Sequence, residues 1–214
     1  MAPESGGNIG ELPIFELPLA IVPGELVPLH IFEERYKRMI GFCLDEDEPL
    51  GILLRDEAGG ARRIGCSARV TQVLERFPDG RLDVVVTGEA PFVVLERHES
   101  SEYPAGEVKP LRDDEEAGSD GEAAAESARG AFSALVERVS GEPPDPSDFE
   151  DKSSYALAAR VELPPETKQR LLELRSESER MQILAKALGA LVEALAKSKQ
   201  IAERAKLNGK VVVG

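Results

Sequence analysis

The hydrophobic pattern changes its period along the chain, and this change most limits the folds that the chain can adopt. Between residues 11 and 111, short apolar runs alternate with turn residues, at a spacing of about ten residues that is typical of an antiparallel sheet or small barrel. From about residue 128 onward, apolar residues recur at the spacing of a helix face. The sequence therefore predicts an α+β fold with a β-rich half followed by a helical half.

The β-rich half contains a series of short segments with strand-like patterns. Pro78-Asp79-Gly80 is the clearest turn signal, because glycine adopts a positive φ without steric cost. It predicts a hairpin between the segments on either side. The predicted strands are 11–17, 49–57, 63–77, 81–88, 91–99 and 105–111.

One helix is predicted within the β-rich half, over residues 32–47. Its apolar residues lie on one helical face, and its charged residues lie on the other. The apolar face contains Phe32, Tyr36, Met39, Ile40, Cys43 and Leu44. The charged face contains Glu33, Glu34, Lys37 and Arg38.

His30 precedes this helix and lies close in sequence to Glu33 and Glu34. A His/Glu pair can bind a metal or transfer protons, but a metal site needs at least one further ligand from elsewhere. Glutamate is also favoured in the first turn of any helix, because the helix dipole attracts negative charge. The stretch PLHIFEERY is therefore interpreted as a joint between a strand and a helix, with Phe32 and Tyr36 facing inward.

The C-terminal half is predicted to be a helical bundle with a long last helix. Ser176 and Glu179 have the spacing of a capping box at the start of that helix. The predicted helices are 127–139, 148–163, 164–176 and 176–209. The predicted organisation is a disordered N-terminus (1–10), a β-rich subdomain (11–111), an acidic linker (112–127) and a helical subdomain (128–214).

Composition excludes several functions. The 214-residue chain has a net charge of −14, and both halves are acidic, which argues against nucleic acid or an anionic membrane as the main partner. No apolar run approaches the ~18 residues of a membrane span, and the first residues do not resemble a secretory signal. The two cysteines, Cys43 and Cys66, are expected to be buried free thiols in a cytoplasmic protein.

The sequence shows none of the catalytic or cofactor-binding motifs considered below. The sequence contains neither a GxSxG nucleophile elbow nor a P-loop. The acidic run 45–48 lacks the alternating ligands and central glycine of an EF-hand. We therefore expect a non-catalytic protein without a cofactor or metal.

Several stretches together resemble the N-terminal domain of Lon proteases. That family opens with an LPLFPL-type strand, a proline-glycine turn and an LPLHIFEPRY segment. The resemblance covers roughly residues 11–200, and Pro91 departs from it where the family usually has arginine. The matching stretches are LPIFELPL (12–19), IVPGELVPLHIFEERY (21–36), IGCSARVTQV (64–73), DGRLDVVVTG (79–88) and KQRLLELRSESERMQIL (168–184).

The resemblance implies a PUA-like β-barrel half with one inserted helix, followed by a helical bundle half. It implies binding of polypeptide segments or unfolded proteins, and cooperation with a Lon-type ATPase protease. The ATPase and peptidase motifs of Lon are not found in the sequence, so we expect a free-standing recognition module or adaptor. The candidate polypeptide contacts are Glu33, Glu34, Arg35, Lys37 and Arg38, on the polar face of the first helix.

Three alternatives stay open from the sequence. PUA-like barrels often bind RNA, although the negative charge argues against it. A hydrolase is a second alternative, but no residue stands out as its nucleophile. The long last helix also has a broad apolar stripe that suits a homodimer.

Overall fold

The computed structural model describes residues 9–56, 59–99, 102–114, 121–145 and 153–208. Within them the fold is mixed α+β, as the change of period predicts, with six strands in one sheet and five helices. The strands are β1 (Ile9–Leu17), β2 (Leu26–Ile31), β3 (Leu50–Leu54), β4 (Ile64–Arg76), β5 (Leu82–Glu99) and β6 (Pro104–Pro110). The helices are α1 (Glu34–Asp45), α2 (Gly121–Ser140), α3 (Ser154–Ala158), α4 (Pro165–Glu173) and α5 (Glu177–Asn208).

The strand order in the sheet is β2-β5-β4-β3-β1-β6, and β5 also pairs with β6. β1 pairs with β3 in parallel, and the other pairings are antiparallel. The predicted hairpin at residues 78–80 is confirmed. Gly80 has a φ of 83°, and the Phe77 amide donates to the Arg81 carbonyl at 2.9 Å where β4 turns into β5.

The prediction of two strands over 81–88 and 91–99 is wrong, because β5 is a single strand of 18 residues. The register slips at Glu89, since Ala68 pairs with Gly88 and Ser67 with Ala90. A Cβ on Gly88 would lie 2.3 Å from the Val22 carbonyl oxygen. Glycine here marks a bulge and a close backbone approach rather than a turn.

Buried side chains on one face of the sheet form a hydrophobic core. Gly51 leaves room there for the fully buried Phe92 ring, because a Cβ at this position would lie 2.6 Å from the ring. Cys66 is also fully buried on β4. One cluster of buried side chains contains Leu12, Ile14, Leu53, Phe92, Val94 and Val108.

The inserted helix forms as predicted, but it begins later. α1 starts at Glu34, after an extended Glu33, and its buried side chains are Tyr36, Met39, Ile40 and Cys43. Phe32 was expected to face inward and is instead 61% exposed. Because Phe32 precedes the helix, it continues the alternation of β2, in which Leu29 and Ile31 are buried and His30 is exposed.

The predicted helix over 148–163 is only five residues long where it is described, Ser154–Ala158; residues 148–152 lie outside the described residues. The chain turns at 159–161, and Pro164 and Pro165 disfavour helix in the residues before them. The predicted cap of the last helix is seen, because the Glu179 amide donates to Ser176 Oγ at 3.2 Å. The tail 209–214 and residues 1–8 lie outside the described part of the chain.

The chain divides into two compact units. The first comprises Met1–Glu115 and Ala158–Arg175, with the sheet, α1 and α4; in it α4 packs against β4. The second comprises Glu116–Leu157 and Ser176–Gly214, where α2 packs against α5. The subdomain boundaries predicted from the sequence stay predictions. Among the described residues, no helix is both long and apolar enough to cross a membrane.

Candidate functional site

The outward face of β2 exposes apolar side chains. Leu26, Pro28 and His30 alternate with inward residues along the strand, and Phe32 continues the same face. Leu26 and Phe32 are each 61% exposed. From Leu26 to Phe32 the chain spans about 20 Å at ~3.3 Å per residue. This row is called the β2 face below.

Aromatic rings extend the β2 face at its Phe32 end. The His30 ring stacks on the Phe32 ring at 6.1 Å between centroids and meets the Phe77 ring edge-on at 5.9 Å. His30 Nδ1 is hydrogen-bonded to Asp83 at 2.5 Å, and the Arg81 guanidinium lies over Phe77 at 4.9 Å. The carboxylate that His30 contacts is therefore on β5, and its role here is to hold the imidazole among the rings.

β2 is at one end of the strand order, so one of its edges has no partner strand among the described strands. The Gly88 amide donates to the Glu25 carbonyl at 2.9 Å, which places this carbonyl toward β5, whereas the Glu25 amide donates to the Val22 carbonyl at 3.1 Å. By the antiparallel alternation, the backbone groups of Leu26, Pro28 and His30 point away from β5. Pro28 has no N–H, so this edge offers an interrupted row of donors, as is usual for proline in an edge strand.

A groove of about 440 Å³ runs beside this edge, within the first unit. The groove joins the β2 face, because Leu26 and Pro28 belong to both. Its walls come from the chain before β2, from β2 itself and from residues 159–162. The lining residues are Leu19, Ala20, Glu25, Leu26, Val27, Pro28, Ala159, Arg160, Val161, Glu162 and Lys168.

An ion pair between Glu25 and Lys168 lies among the lining residues of the groove. The Lys168 ammonium donates to Glu25 Oε1, and each of the two side chains is 11% exposed. Glu25 Oε2 also accepts the Val22 amide at 3.1 Å. Because the two charges neutralise each other, they add no net charge to the groove, whose lining also contains Arg160 and Glu162 beside its aliphatic residues.

Of the residues predicted as polypeptide contacts, Glu33 directly precedes α1 and the other four are on it. Most of them pair with one another. Glu33 contacts Arg35 at 2.9 Å, and Glu34 contacts Lys37 at 2.8 Å. Lys37 also donates to the Asp79 carbonyl at 3.0 Å, so it connects α1 to the β4–β5 turn. The hydrogen bond that Lys37 donates to Glu34 lowers the pKa of the Glu34 carboxyl below its ordinary value. Arg38 is exposed.

Arg35 differs from the other four because it lines a second cavity, together with Arg55 and Arg97. That cavity, the groove and the β2 face were not predicted from the sequence. LVPLHIF is an almost continuous apolar run, which does not distinguish the exposed side of a strand from the buried side, and Phe32 also fits the spacing of the following helix. The groove also lacks a local sequence signal, because Glu25 and Lys168 are 143 residues apart.

The two cysteines are buried, as expected. Burial raises the pKa of the Cys66 thiol to about 12 and that of the Cys43 thiol to about 11. Such thiols are protonated at neutral pH and react slowly as nucleophiles. Among the described residues, no group of three or more His, Cys, Asp or Glu is placed to hold a metal ion.

Comparisons with known proteins point to one family. The chain is similar to Lon protease 1 of Hydrogenovibrio crunogenus, with 23% identity over 205 residues that cover 88% of this chain and 24% of the relative. The chain thus spans about a quarter of the length of that relative.

Two solved structures share the fold. The N-terminal domain of a Mycobacterium avium complex Lon protease has a TM-score of 0.65 and 21% identity, covering 83% of this chain and 97% of that one. A Lon N-terminal domain protein from Xanthomonas campestris has a TM-score of 0.58 and 23% identity, covering 82% of this chain and 97% of that one. The family model for the ATP-dependent protease La (LON) substrate-binding domain matches residues 11–189, and the chain therefore belongs to this substrate-binding domain family.

Proposed function

We propose that this protein is a non-catalytic recognition module that binds apolar or mixed polypeptide segments along the β2 face and its groove. Membership of the substrate-binding domain family supports polypeptide as the ligand. The observation that carries the choice of site is the exposure of Leu26 and Phe32 beside a groove of about 440 Å³. Exposed apolar patches that adjoin a groove commonly mark binding sites.

A bound segment would lie extended along β2. Because Pro28 interrupts the donors of the strand edge, backbone pairing alone would hold such a segment weakly, and apolar side chains would supply much of the affinity. Fully burying one leucine or phenylalanine side chain stabilises a complex by about 1.5–3 kcal/mol. Sequence-tolerant binding follows, because contacts with Leu26, Phe32 and the aliphatic residues of the groove require apolar character rather than a defined sequence.

The test measures binding of a reduced, alkylated and fluorescently labelled polypeptide by anisotropy. The double variant Leu26→Ser/Phe32→Ser should bind at least about tenfold more weakly than the unchanged protein, because 1.4 kcal/mol is a factor of ten. Leu95→Ser is the matched control, since Leu95 is 44% exposed on the distal part of β5. Equal affinity of the double variant and the control would rule out the β2 face.

The five residues predicted from the sequence at the start of α1, Glu33, Glu34, Arg35, Lys37 and Arg38, stay a proposal as further contacts. A PUA-like closed barrel and a C-terminal helical bundle are likewise proposed as the finer architecture. The pairing of β5 with both β4 and β6 supports the closed barrel, and the packing of α2 on α5 supports the bundle. The alternative of RNA binding is not favoured by the comparisons.

We also propose a Lon-type ATPase protease as the partner that receives the bound polypeptide, with the protein acting as an adaptor in the cytoplasm. The support is the similarity to Lon protease 1, of which this chain matches one part. Mixing the purified protein with a purified Lon-type protease and the labelled polypeptide tests this. Faster degradation that Leu26→Ser/Phe32→Ser abolishes is the expected result, and an unchanged rate would contradict the adaptor role.

A further inference from the structure

A second cavity, of about 300 Å³, lies in the first unit between α1 and the strands. It is separate from the groove beside β2, with which it shares no lining residue. Its lining is unusually basic for a chain with a net charge of −14. The lining residues are Ile14, Glu16, Arg35, Tyr36, Arg55, Arg97, His98, Pro104 and Ala105.

Two of the three arginines share one carboxylate. Arg55 Nη2 donates to Glu16 Oε2 at 2.9 Å, and Arg97 Nη1 donates to Glu16 Oε1 at 3.2 Å. Arg35 contacts the carboxylate of Glu33 at 2.9 Å. The lining itself thus contains three guanidinium groups and one carboxylate, that of Glu16. Two further carboxylates lie just outside it, Glu33 on Arg35 and Glu11 at 3.6 Å from His98 Nε2.

Groups that carry no charge hold two of the guanidiniums in place. Arg97 Nη2 donates to the carbonyls of Ala61 and Arg62 at 3.0 and 2.8 Å. The Arg35 guanidinium lies 4.5 Å from the centre of the Tyr36 ring, a cation–π geometry. Tyr36 is fixed in turn by Phe15, at 4.3 Å between ring centroids. The arginines are therefore positioned before any ligand arrives, which lowers the ordering cost of binding.

The guanidiniums also keep donors for a ligand. An arginine has five N–H donors in a planar fork that matches a carboxylate. Within the described residues, Arg55 uses its donors on Glu16 alone, and 42% of its side chain is exposed. A ligand anion can therefore bind the remaining donors of Arg55 while it competes with Glu16 for the donors that the arginines now use.

We propose that this cavity binds a carboxylate of a polypeptide, either an acidic side chain or a free C-terminus. The polypeptide source rests on the proposed function, whereas the anion site itself does not. Arg55 and Arg35 supply the N–H donors, and Arg97 is held in place by the backbone carbonyls. Glu16 accepts hydrogen bonds from Arg55 and Arg97 until the ligand carboxylate competes with it. The site adds selectivity for acidic or terminal segments to the apolar contacts of the β2 face.

The experiment uses the full chain and four labelled peptides of about ten residues, followed by anisotropy at low salt. Three have blocked termini and are neutral, acidic with two glutamates, or basic with two lysines; the fourth is neutral with a free C-terminus. We expect either the acidic or the free C-terminal peptide to bind about tenfold tighter than the blocked neutral one. Which of the two binds identifies the source of the carboxylate.

Variants separate ligand binding from a structural role of the cluster. Arg55→Gln should weaken the preferred peptide about two- to fivefold, as expected for a partly exposed ion pair. Glu16→Gln should strengthen it, because the internal competitor is removed. Arg76→Gln, which removes one exposed charge on β4, should leave the preference unchanged. Leu26→Ser/Phe32→Ser should also keep the preference for the carboxylate peptide, even where overall affinity falls. The binding role of the β2 face and that of this cavity can therefore be tested separately.

Two results would overturn the carboxylate site. One is equal affinity for all four peptides, or tighter binding of the basic peptide. The other is a preference that Arg55→Gln and Arg76→Gln reduce equally, with weaker binding in Glu16→Gln, since this would reflect overall charge and a purely structural Glu16.

Discussion

Lys168 of α4 forms an ion pair with Glu25 of the segment before β2, across 143 residues of sequence. Because each of the two side chains is 11% exposed, the pair connects α4 to the sheet at the groove where we place polypeptide binding. Gln169, the next residue on α4, donates to the Ile64 carbonyl at 3.1 Å. Together these two bonds attach α4 to the segment before β2 and to the start of β4.

Removing one partner of this ion pair should be strongly destabilising. Lys168→Met leaves the Glu25 carboxylate buried without its counter-charge, and we expect the free energy of unfolding to fall by about 3–5 kcal/mol. Glu25→Gln should also be destabilising. The double variant should lose less than the sum of the two, because it leaves no buried unpaired charge. Urea unfolding of the four proteins measures this, and additive losses would contradict the coupling.

Gly65 on β4 should not tolerate a side chain. A Cβ there would lie 2.2 Å from the Ile52 carbonyl oxygen and 2.6 Å from Leu53 Cδ2, so Gly65→Ala should cost about 1–3 kcal/mol or more. Gly41 of α1 is the control, because a Cβ there meets nothing within 4 Å. Gly41→Ala should stabilise by about 0.5–1 kcal/mol, through the higher helix propensity of alanine. Thermal unfolding of both variants tests this contrast. Equal shifts of the melting temperature in the two variants would refute it.

The buried thiols should make stability depend on alkaline pH. Burial raises the pKa of Cys43 and Cys66 from 9.0 to about 11 and about 12. The native state therefore keeps protons that the unfolded state releases above pH 9. This contribution is fully present below pH 9 and is lost as the pH rises toward 11–12.

Cys43→Ala and Cys66→Ala should each reduce the slope of stability against pH between 9 and 11. In the unchanged protein at pH 8, a small thiol reagent should modify both thiols slowly, and rapidly once urea is added. Fast labelling of the native protein would show that the thiols are accessible and would contradict their raised pKa values.

Ser154 should stabilise the start of α5 within the second unit. Its Oγ donates to Glu177 Oε2 at 2.7 Å and accepts from Arg180 Nε at 3.0 Å, and Arg180 is only 2% exposed. Ser154→Ala should therefore cost about 1–3 kcal/mol, the range for a buried polar group that loses a partner. Ser133→Ala on α2 is the control and should change stability by less than about 0.5 kcal/mol. A similar loss in both variants would argue against a specific network.

The sequence predicted the elements more accurately than their surroundings. The hairpin at 78–80, the buried face of α1 and the cap at Ser176 depend on contacts within a few residues, and all three are present. Phe32 and Gly88 show where local patterns fail. Phe32 fits the helical spacing, but the helix begins two residues later, so the side chain follows the strand and is exposed. Gly88 resembles a turn residue, but it is where β5 passes closest to Val22.

The candidate site shows the same division. The fold class and the family can be predicted from the sequence, because period and motif are properties of neighbouring residues. The contact between Glu25 and Lys168, and the cavity that Arg35, Arg55 and Arg97 line together, are visible only in the folded chain. Such contacts depend on strand register and helix packing, which bring together side chains that are far apart in the sequence.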